Sequence, residues 1–359
     1  MRIKISFVSA CLFAGSALFA DSATIADALK KGKINGEFGV YGEYADGDIT
    51  ESGFTSGSFN LGYSTDSFRG VKLSVGSRAN HAFWENGDND YDSNTKAILH
   101  TANIAYSHPY VDVVFGRQEI NLNWASDFHE ALVGVIKTVP NTSIIVGYTQ
   151  RRAEADYDAP LAAFSELGGD GAFVVDAKYS GIEGLVINPF IYYANDVATW
   201  IGTRADYNKA FPNFSVGVTA QYTQSSEDAG DDGSFLHLEG RGSFTGVNAK
   251  LGFIKTDKNG GIGSIAAAGE NVNPFEEGGQ ILEADAQTIY LGASDDFQGF
   301  ALSGLYGYTE YGNDITFNEF DFVVGYNIDK ALRLEGALII GDGDADEYKK
   351  ITLGAVYSF

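Results

Sequence analysis

The sequence predicts an all-β fold, a transmembrane antiparallel β-barrel of 18 strands, with 16 as the alternative count. Three observations predict it. Apolar and polar residues alternate along short segments, the mark of a strand with two unlike faces. The connections between those segments are alternately short and long. The composition, with 44 Gly, 25 Phe, 20 Tyr and only 6 Pro in 359 residues, suits uninterrupted sheet ladders rather than a helical bundle.

The chain begins with a leader. Arg2 and Lys4 form a short positive region, Ile5 to Ala14 is apolar, and Ala17-Leu18-Phe19-Ala20 ends in small residues. This predicts a signal peptide over 1–20 with cleavage after Ala20, and hence an exported chain of a Gram-negative bacterium. The single Cys, Cys11, lies within it, so the mature chain has no disulfide. The formal charge of −24 becomes more acidic once Arg2 and Lys4 are removed, which argues against a nucleic-acid partner. Residues 21–32 come next; Ile25, Ala28 and Leu29 have helical spacing behind Ser22 or Thr24 as a cap, predicting one short periplasmic helix.

From residue 33 to 359 the barrel strands follow. They are expected near 33–45, 56–66, 69–82, 96–107, 110–119, 131–139, 142–152, 172–180, 185–194, 199–209, 213–224, 234–244, 247–257, 286–296, 299–310, 316–328, 332–341 and 348–359. The clearest is the last: Ile351, Leu353, Ala355, Tyr357 and Phe359 share one face, and Lys350, Thr352, Gly354, Val356 and Ser358 the other. Segments around 214–222, 236–244 and 320–328 repeat the pattern, while Pro189 interrupts one strand. Short connections such as His108-Pro109 and Thr245-Gly246 read as periplasmic turns; long ones such as 83–95, 153–171 and 258–285 read as external loops. In hydrocarbon every backbone group needs a protein partner, so an all-β chain must close on itself, with one face toward lipid and the other toward a lumen.

The terminal Tyr357-Ser358-Phe359 resembles the aromatic end recognised by the outer-membrane barrel assembly machinery, which implies that partner through Phe359. Ile25-Ala26-Asp27-Ala28-Leu29-Lys30-Lys31-Gly32-Lys33-Ile34-Asn35-Gly36 resembles the start of major porins of epsilonproteobacterial, Campylobacter-like species. Phe115-Gly116-Arg117-Gln118, followed by Val133-Gly134-Val135, is similar to the OprD-type channel family. The resemblance implies an 18-stranded barrel, a homotrimer, and a third loop, here 120–130, folded inward to narrow the pore.

On that basis the pore constriction is expected at Glu119, Asp127 and Glu130, faced by Arg78, Arg151, Arg204 and Arg241. Lumen-lining charges are expected at Lys72, Glu37, Asp112, Asp176, Glu239, Glu319, Asp321, Arg333 and Glu335, because a charge on the lipid face near the membrane midplane costs about 2–4 kcal/mol. Opposed rows of carboxylates and guanidinium groups would set a field across the lumen; the alternative is that inward charges pair and stiffen the wall. Excess carboxylate implies moderate cation preference, weakened by salt. Asp342, Asp344, Asp346 and Glu347 have the oxygen chemistry for Ca²⁺ but lack EF-hand spacing, so no cofactor is assigned. The five His carry no zinc spacing, and no nucleophile elbow or phosphate loop is present, which argues against an enzyme.

These readings describe an outer-membrane porin passing small hydrophilic solutes and ions by passive diffusion, embedded in lipid and lipopolysaccharide. A substrate-selective channel is the nearer alternative. A surface adhesin with a closed lumen is the alternative of another class.

Overall fold

A computed structural model describes residues 21–47, 52–278, 280–344 and 347–359. The leader over 1–20, its cleavage point and Asp346 lie outside the described residues. Among the described residues the chain forms one short α-helix, α1 (Ile25–Lys30), and nineteen strands. The strands are β1 (Lys33–Gly47), β2 (Ser52–Ser64), β3 (Val71–Glu85), β4 (Ala97–Ser107), β5 (Val111–Leu122), β6 (Ala125–Ile136), β7 (Thr142–Ala153), β8 (Ser165–Glu166), β9 (Ala172–Ile182) and β10 (Leu185–Ala194). They continue with β11 (Ala198–Ala210), β12 (Phe214–Glu227), β13 (Gly233–Phe244), β14 (Val247–Thr256), β15 (Gln287–Phe297), β16 (Phe300–Tyr311), β17 (Ile315–Asn327), β18 (Leu332–Gly343) and β19 (Glu347–Ser358).

Eighteen of these close an antiparallel barrel in chain order, since β1 pairs with both β2 and β19. The two-residue β8 is an addition to the free edge of β7, opposite Arg151 and Arg152. The seam is tied at its base by the C-terminus: Phe359 N donates to Gly36 O at 3.0 Å and Gly36 N to Phe359 O at 2.9 Å.

The outside of the wall explains the alternation. Ile34, Phe38, Val40 and Tyr44 of β1 point out, and outward leucines are bare, Leu291 at 60% and Leu353 at 68% exposure. Such exposure recurs around the barrel, which in water would cost about 25 cal/mol per Å² and in hydrocarbon costs nothing. Among the described residues no helix is long and apolar enough to cross a membrane.

Turn chemistry separates the two ends. Thr245-Gly246 and Gln298-Gly299 have positive φ at both positions, the geometry of two-residue hairpins whose twist matches the strands. Pro189 is accommodated within β10: it has no N–H to offer the ladder, and Ala177 O, opposite it on β9, accepts from Asn188 Nδ2 at 2.8 Å. At the short-turn end α1 is capped by Thr24, whose hydroxyl accepts from Asp27 N at 3.1 Å. Ser22 holds the segment to the β2–β3 turn by donating to Asp66 at 2.7 Å.

Candidate functional site

A barrel of 18 strands encloses more space than its inward side chains fill. Three segments from the long-loop end occupy part of that space. The first is the tip of the β5–β6 hairpin. β5 keeps its pairing with β4 only as far as Ala102↔Arg117, and Gly116, one residue earlier, has φ 116°. A Cβ there would stand 2.2 Å from Ala102 O, so only glycine allows the strand to leave its neighbour at this point. Beyond it, Gln118–Leu122 pairs with β6 alone and turns at Asn123-Trp124. Segment 120–130 is thus a tight hairpin rather than an irregular loop, and strand β6 starts at Ala125 instead of 131. The tip crosses the interior: Asn123 Nδ2 donates to Asn188 Oδ1 of β10 at 3.0 Å, and Trp124 meets Phe235 of β13 edge-on at 5.3 Å.

The second segment is 154–164. Asn80 Nδ2 of β3 donates to Asp156 O and Ala159 O at 2.9 and 3.0 Å, and Ser93 Oγ donates to Leu161 O at 2.9 Å. Tyr157 reaches the opposite wall and seats on two inward glycines, Gly39 of β1 and Gly354 of β19. A Cβ on Gly39 would lie 2.9 Å from Tyr157 Cβ, and one on Gly354 2.7 Å from its Oη, so the ring occupies the room the missing side chains leave.

The third segment is 257–286, which carries a 3₁₀ turn over Gly263–Ala268. Asn271 binds the hairpin tip, its N donating to Asn123 O at 2.9 Å and its Nδ2 to Leu122 O at 2.7 Å. Farther on, Glu276 N and Glu277 N donate to Asp321 and Glu319 of β17 at 3.2 and 2.9 Å. Lys350 of β19 then bridges the Glu277 carboxylate at 2.9 Å and Glu43 of β1 at 3.1 Å.

The insertions divide the interior into two halves. Against β6, β7 and β9–β16 they form a dry core: Trp124 packs with Phe235, Ile254, Ile265 and Tyr290, each about 1% exposed or less. Chiefly against β1–β5, β18 and β19, with Val133, Ile145 and Val174 at the edge of the core, they leave a continuous cavity of about 1770 Å³. Its lining runs from Lys33, Lys330 and Ser358 at the short-turn end to Asp92, Asp156 and Asp158 at the long-loop end.

The expected site residues are distributed between these halves. Glu119, Asp127, Arg78, Lys72, Glu37, Arg333 and Glu335 line the cavity. Of these, Arg78 pairs with Glu37 at 2.8 Å and Arg333 with Glu335 at 3.1 Å, and Asp127 is paired to Arg152 at 2.6 Å.

The others are elsewhere. Glu130 and Arg151, expected at the constriction, form a network with Arg117 and with Glu166 of β8 away from the cavity. Glu130 lies on the outward face of β6, between the buried His129 and Ala131; for Arg151 the cause is a register shift that leaves Gln150 of β7 unpaired, reverses the faces beyond it and turns Arg152 inward in place of Arg151. Arg204 and Arg241 lie on the opposite wall, bound to Asp206 at 2.7 Å and Glu239 at 3.3 Å; Glu239 also accepts from Tyr290 at 2.8 Å. Asp176 is buried, accepting from Asn188 and Tyr192. Asp112 pairs with Lys137 at 2.8 Å. Glu319 and Asp321 are anchors for inserted backbone rather than lumen lining.

Asp342 and Glu347 face each other in the β18–β19 ladder, and Asp344 accepts from Thr316 N and Oγ1 at 2.9 and 2.8 Å. Those bonds hold the Asp344 carboxyl below its usual range. No group of three or more His, Cys, Asp or Glu among the described residues could hold a metal ion.

Lys350, Tyr157, Glu277 and Arg152 were not singled out from the sequence. For Lys350 the signal was present, since it alternates onto the polar face of the last strand. For Tyr157 the only trace was a pair of glycines at inward positions of two distant strands.

No protein-family model matches the chain, and no curated protein does. Solved structures do. OccAB1 of Acinetobacter baumannii superposes with a TM-score of 0.80 at 12% identity, over 92% of this chain and 98% of that one. OpdK of Pseudomonas aeruginosa, solved with vanillate, gives 0.79 at 12% over 92% and 99%. OpdO of the same organism gives 0.78 at 13% over 93% and 98%. These neighbours are outer-membrane channels of the OprD/Occ type, and at this identity the likeness is one of fold. They come from Pseudomonas and Acinetobacter, so the narrower likeness to Campylobacter-like porins rests on the N-terminal residues alone.

Proposed function

We propose that the chain is an outer-membrane channel that passes small hydrophilic solutes and ions through a water-filled lumen, with moderate preference for cations. The observation that carries this reading is the cavity of about 1770 Å³ running between the two ends of a closed, lipid-faced barrel and lined by charges and amides. A scaffold needing only its outer loops would have no use for such a passage. In this reading the short-turn end faces the periplasm, and lipid and lipopolysaccharide surround the apolar belt. Glu119, Asp127, Asp156 and Asp158, all lining the cavity, support the cation preference.

Three anchored insertions favour the narrower form of the reading, a channel that selects among solutes. Tyr157 on its glycine seat and Lys350 between Glu43 and Glu277 give the passage a shaped, charged constriction where an unplugged barrel would have a wide one. The test is single-channel current of the purified protein in a planar bilayer under a KCl gradient. Ohmic steps with a reversal potential on the cation side are expected. A folded, inserted barrel that passes no current would overturn the channel. Block of that current by one solute class and not by others of equal size distinguishes the selective form.

A further inference from the structure

The charges along the cavity are sorted by depth. At the long-loop end the lining carboxylates include Asp92, Asp156, Asp158 and Glu276, all on segments between strands. The lining cation in that half, among the described residues, is Lys350, and it is already bound by two carboxylates. At the short-turn end the order reverses. Lys33 and Lys72 start β1 and β3, and Lys330 and Arg333 flank the start of β18. The carboxylates nearby are engaged: Glu37 with Arg78, Glu335 with Arg333, and Asp329 with the N–H groups of Ala331 and Leu332 at 2.7 and 2.9 Å. Glu37 and Glu335 offset the two guanidinium groups, and Asp329, whose amide partners are neutral, offsets one lysine, so the lining side chains leave that end net positive.

We propose that the passage is polarised along its axis, a carboxylate mouth standing in series with a lysine ring, so that the channel rectifies ion current. The proposal rests on the channel reading and deepens it, replacing the expected field across the lumen by one along it.

Two charged zones of opposite sign in series act as opposed ion filters. When the short-turn side is negative, cations enter through the carboxylate mouth and anions through the lysine ring. Both accumulate at the junction and conductance is high. When the voltage is reversed, both are withdrawn from the junction and conductance falls. The effect depends on fixed charges reaching across the pore. It should be strong near about 0.1 M salt, where the screening length is about 10 Å, and vanish near about 1 M, where it is about 3 Å.

The experiment is the current–voltage curve of single channels of the full protein, one at a time because mixed orientations would average to symmetry, in KCl at about 0.1 M and about 1 M. A current ratio of about two or more between opposite voltages is expected at low salt, closing toward one at high salt. Two variants mark the two zones. Asp92→Asn with Asp158→Asn should reduce both rectification and cation preference. Lys33→Gln with Lys72→Gln and Lys330→Gln should reduce rectification while raising cation preference. The two reversal potentials therefore move in opposite directions, which general loosening of the barrel would not produce. Conducting channels with symmetric low-salt curves would overturn the polarised passage and leave the channel standing. Absence of any conductance would overturn both.

Discussion

The two halves of the lumen are built from the same wall and the same inserted segments, yet one is dry and the other wet. On the β9–β16 side, inward positions at the level of the insertions carry Trp200, Phe235, Ile254, Tyr290 and Leu305, and the insertions meet them with Trp124, Ile265 and Phe275. On the β1–β4 and β18–β19 side, inward positions carry Glu37, Asn60, Lys72, Arg78, Thr352 and Lys350, and the insertions meet them with Tyr157, Glu277 and backbone. The difference teaches how a wide barrel sets its bore. Hydrophobic matching decides where the insertions collapse onto the wall, and charged anchors hold their other edge at a distance.

The largest expected effect is on the dry half. Trp124→Ala removes a fully buried indole and should cost about 3–5 kcal/mol. Heat-dependent gel mobility should shift at a lower temperature, and single-channel conductance should rise as the hairpin tip loosens. Unchanged conductance with lower stability would break the idea that the dry half limits the bore.

Gly354→Val comes next. The new side chain would meet Tyr157 Oη and Glu335 Cγ, overpacking at about 1–3 kcal/mol and displacing the ring. Tyr157→Ala should raise conductance with little loss of barrel stability, because the ring leans on the wet side. If Tyr157→Ala leaves conductance unchanged, Tyr157 is not part of the constriction.

Lys350→Gln removes two charge-assisted bonds worth about 1.5–3 kcal/mol each at most. The expected outcome is noisier open-channel current with the barrel intact, since Glu319 and Asp321 still hold residues 276 and 277.

The smallest effect lies outside both halves and calibrates them. The Ser22 hydroxyl and the Ser67 backbone hold the Asp66 carboxyl below its usual range. A depressed carboxyl contributes stability that is complete above its ordinary pKa and is lost as pH falls through the depressed value. The N-terminal segment should therefore become protease-sensitive only in acid.

The wall was legible in the sequence because lipid on one side and water on the other impose strict alternation. The segments at 214–222, 320–328 and 351–359 match β12, β17 and β19, and the closed 18-strand barrel follows the predicted count. Where alternation fails, the site residues were misplaced. One register shift at Glu130 exchanged Arg151 for Arg152, and no count along the chain could have located it, because the shift exists only as a relation between β6 and β7. Arg204 and Arg241, expected at the constriction, pair with Asp206 and Glu239 on the far wall, because parity alone cannot tell one side of a lumen from the other.

By itself the sequence determined a closed all-β wall, its two faces and its two kinds of ends, since those depend on local alternation and turn chemistry. Tertiary structure alone decided the bore. Which half fills, that Tyr157 finds Gly39 and Gly354, and that Lys350 clasps Glu277 all depend on residues far apart in sequence meeting across an interior that only closure creates.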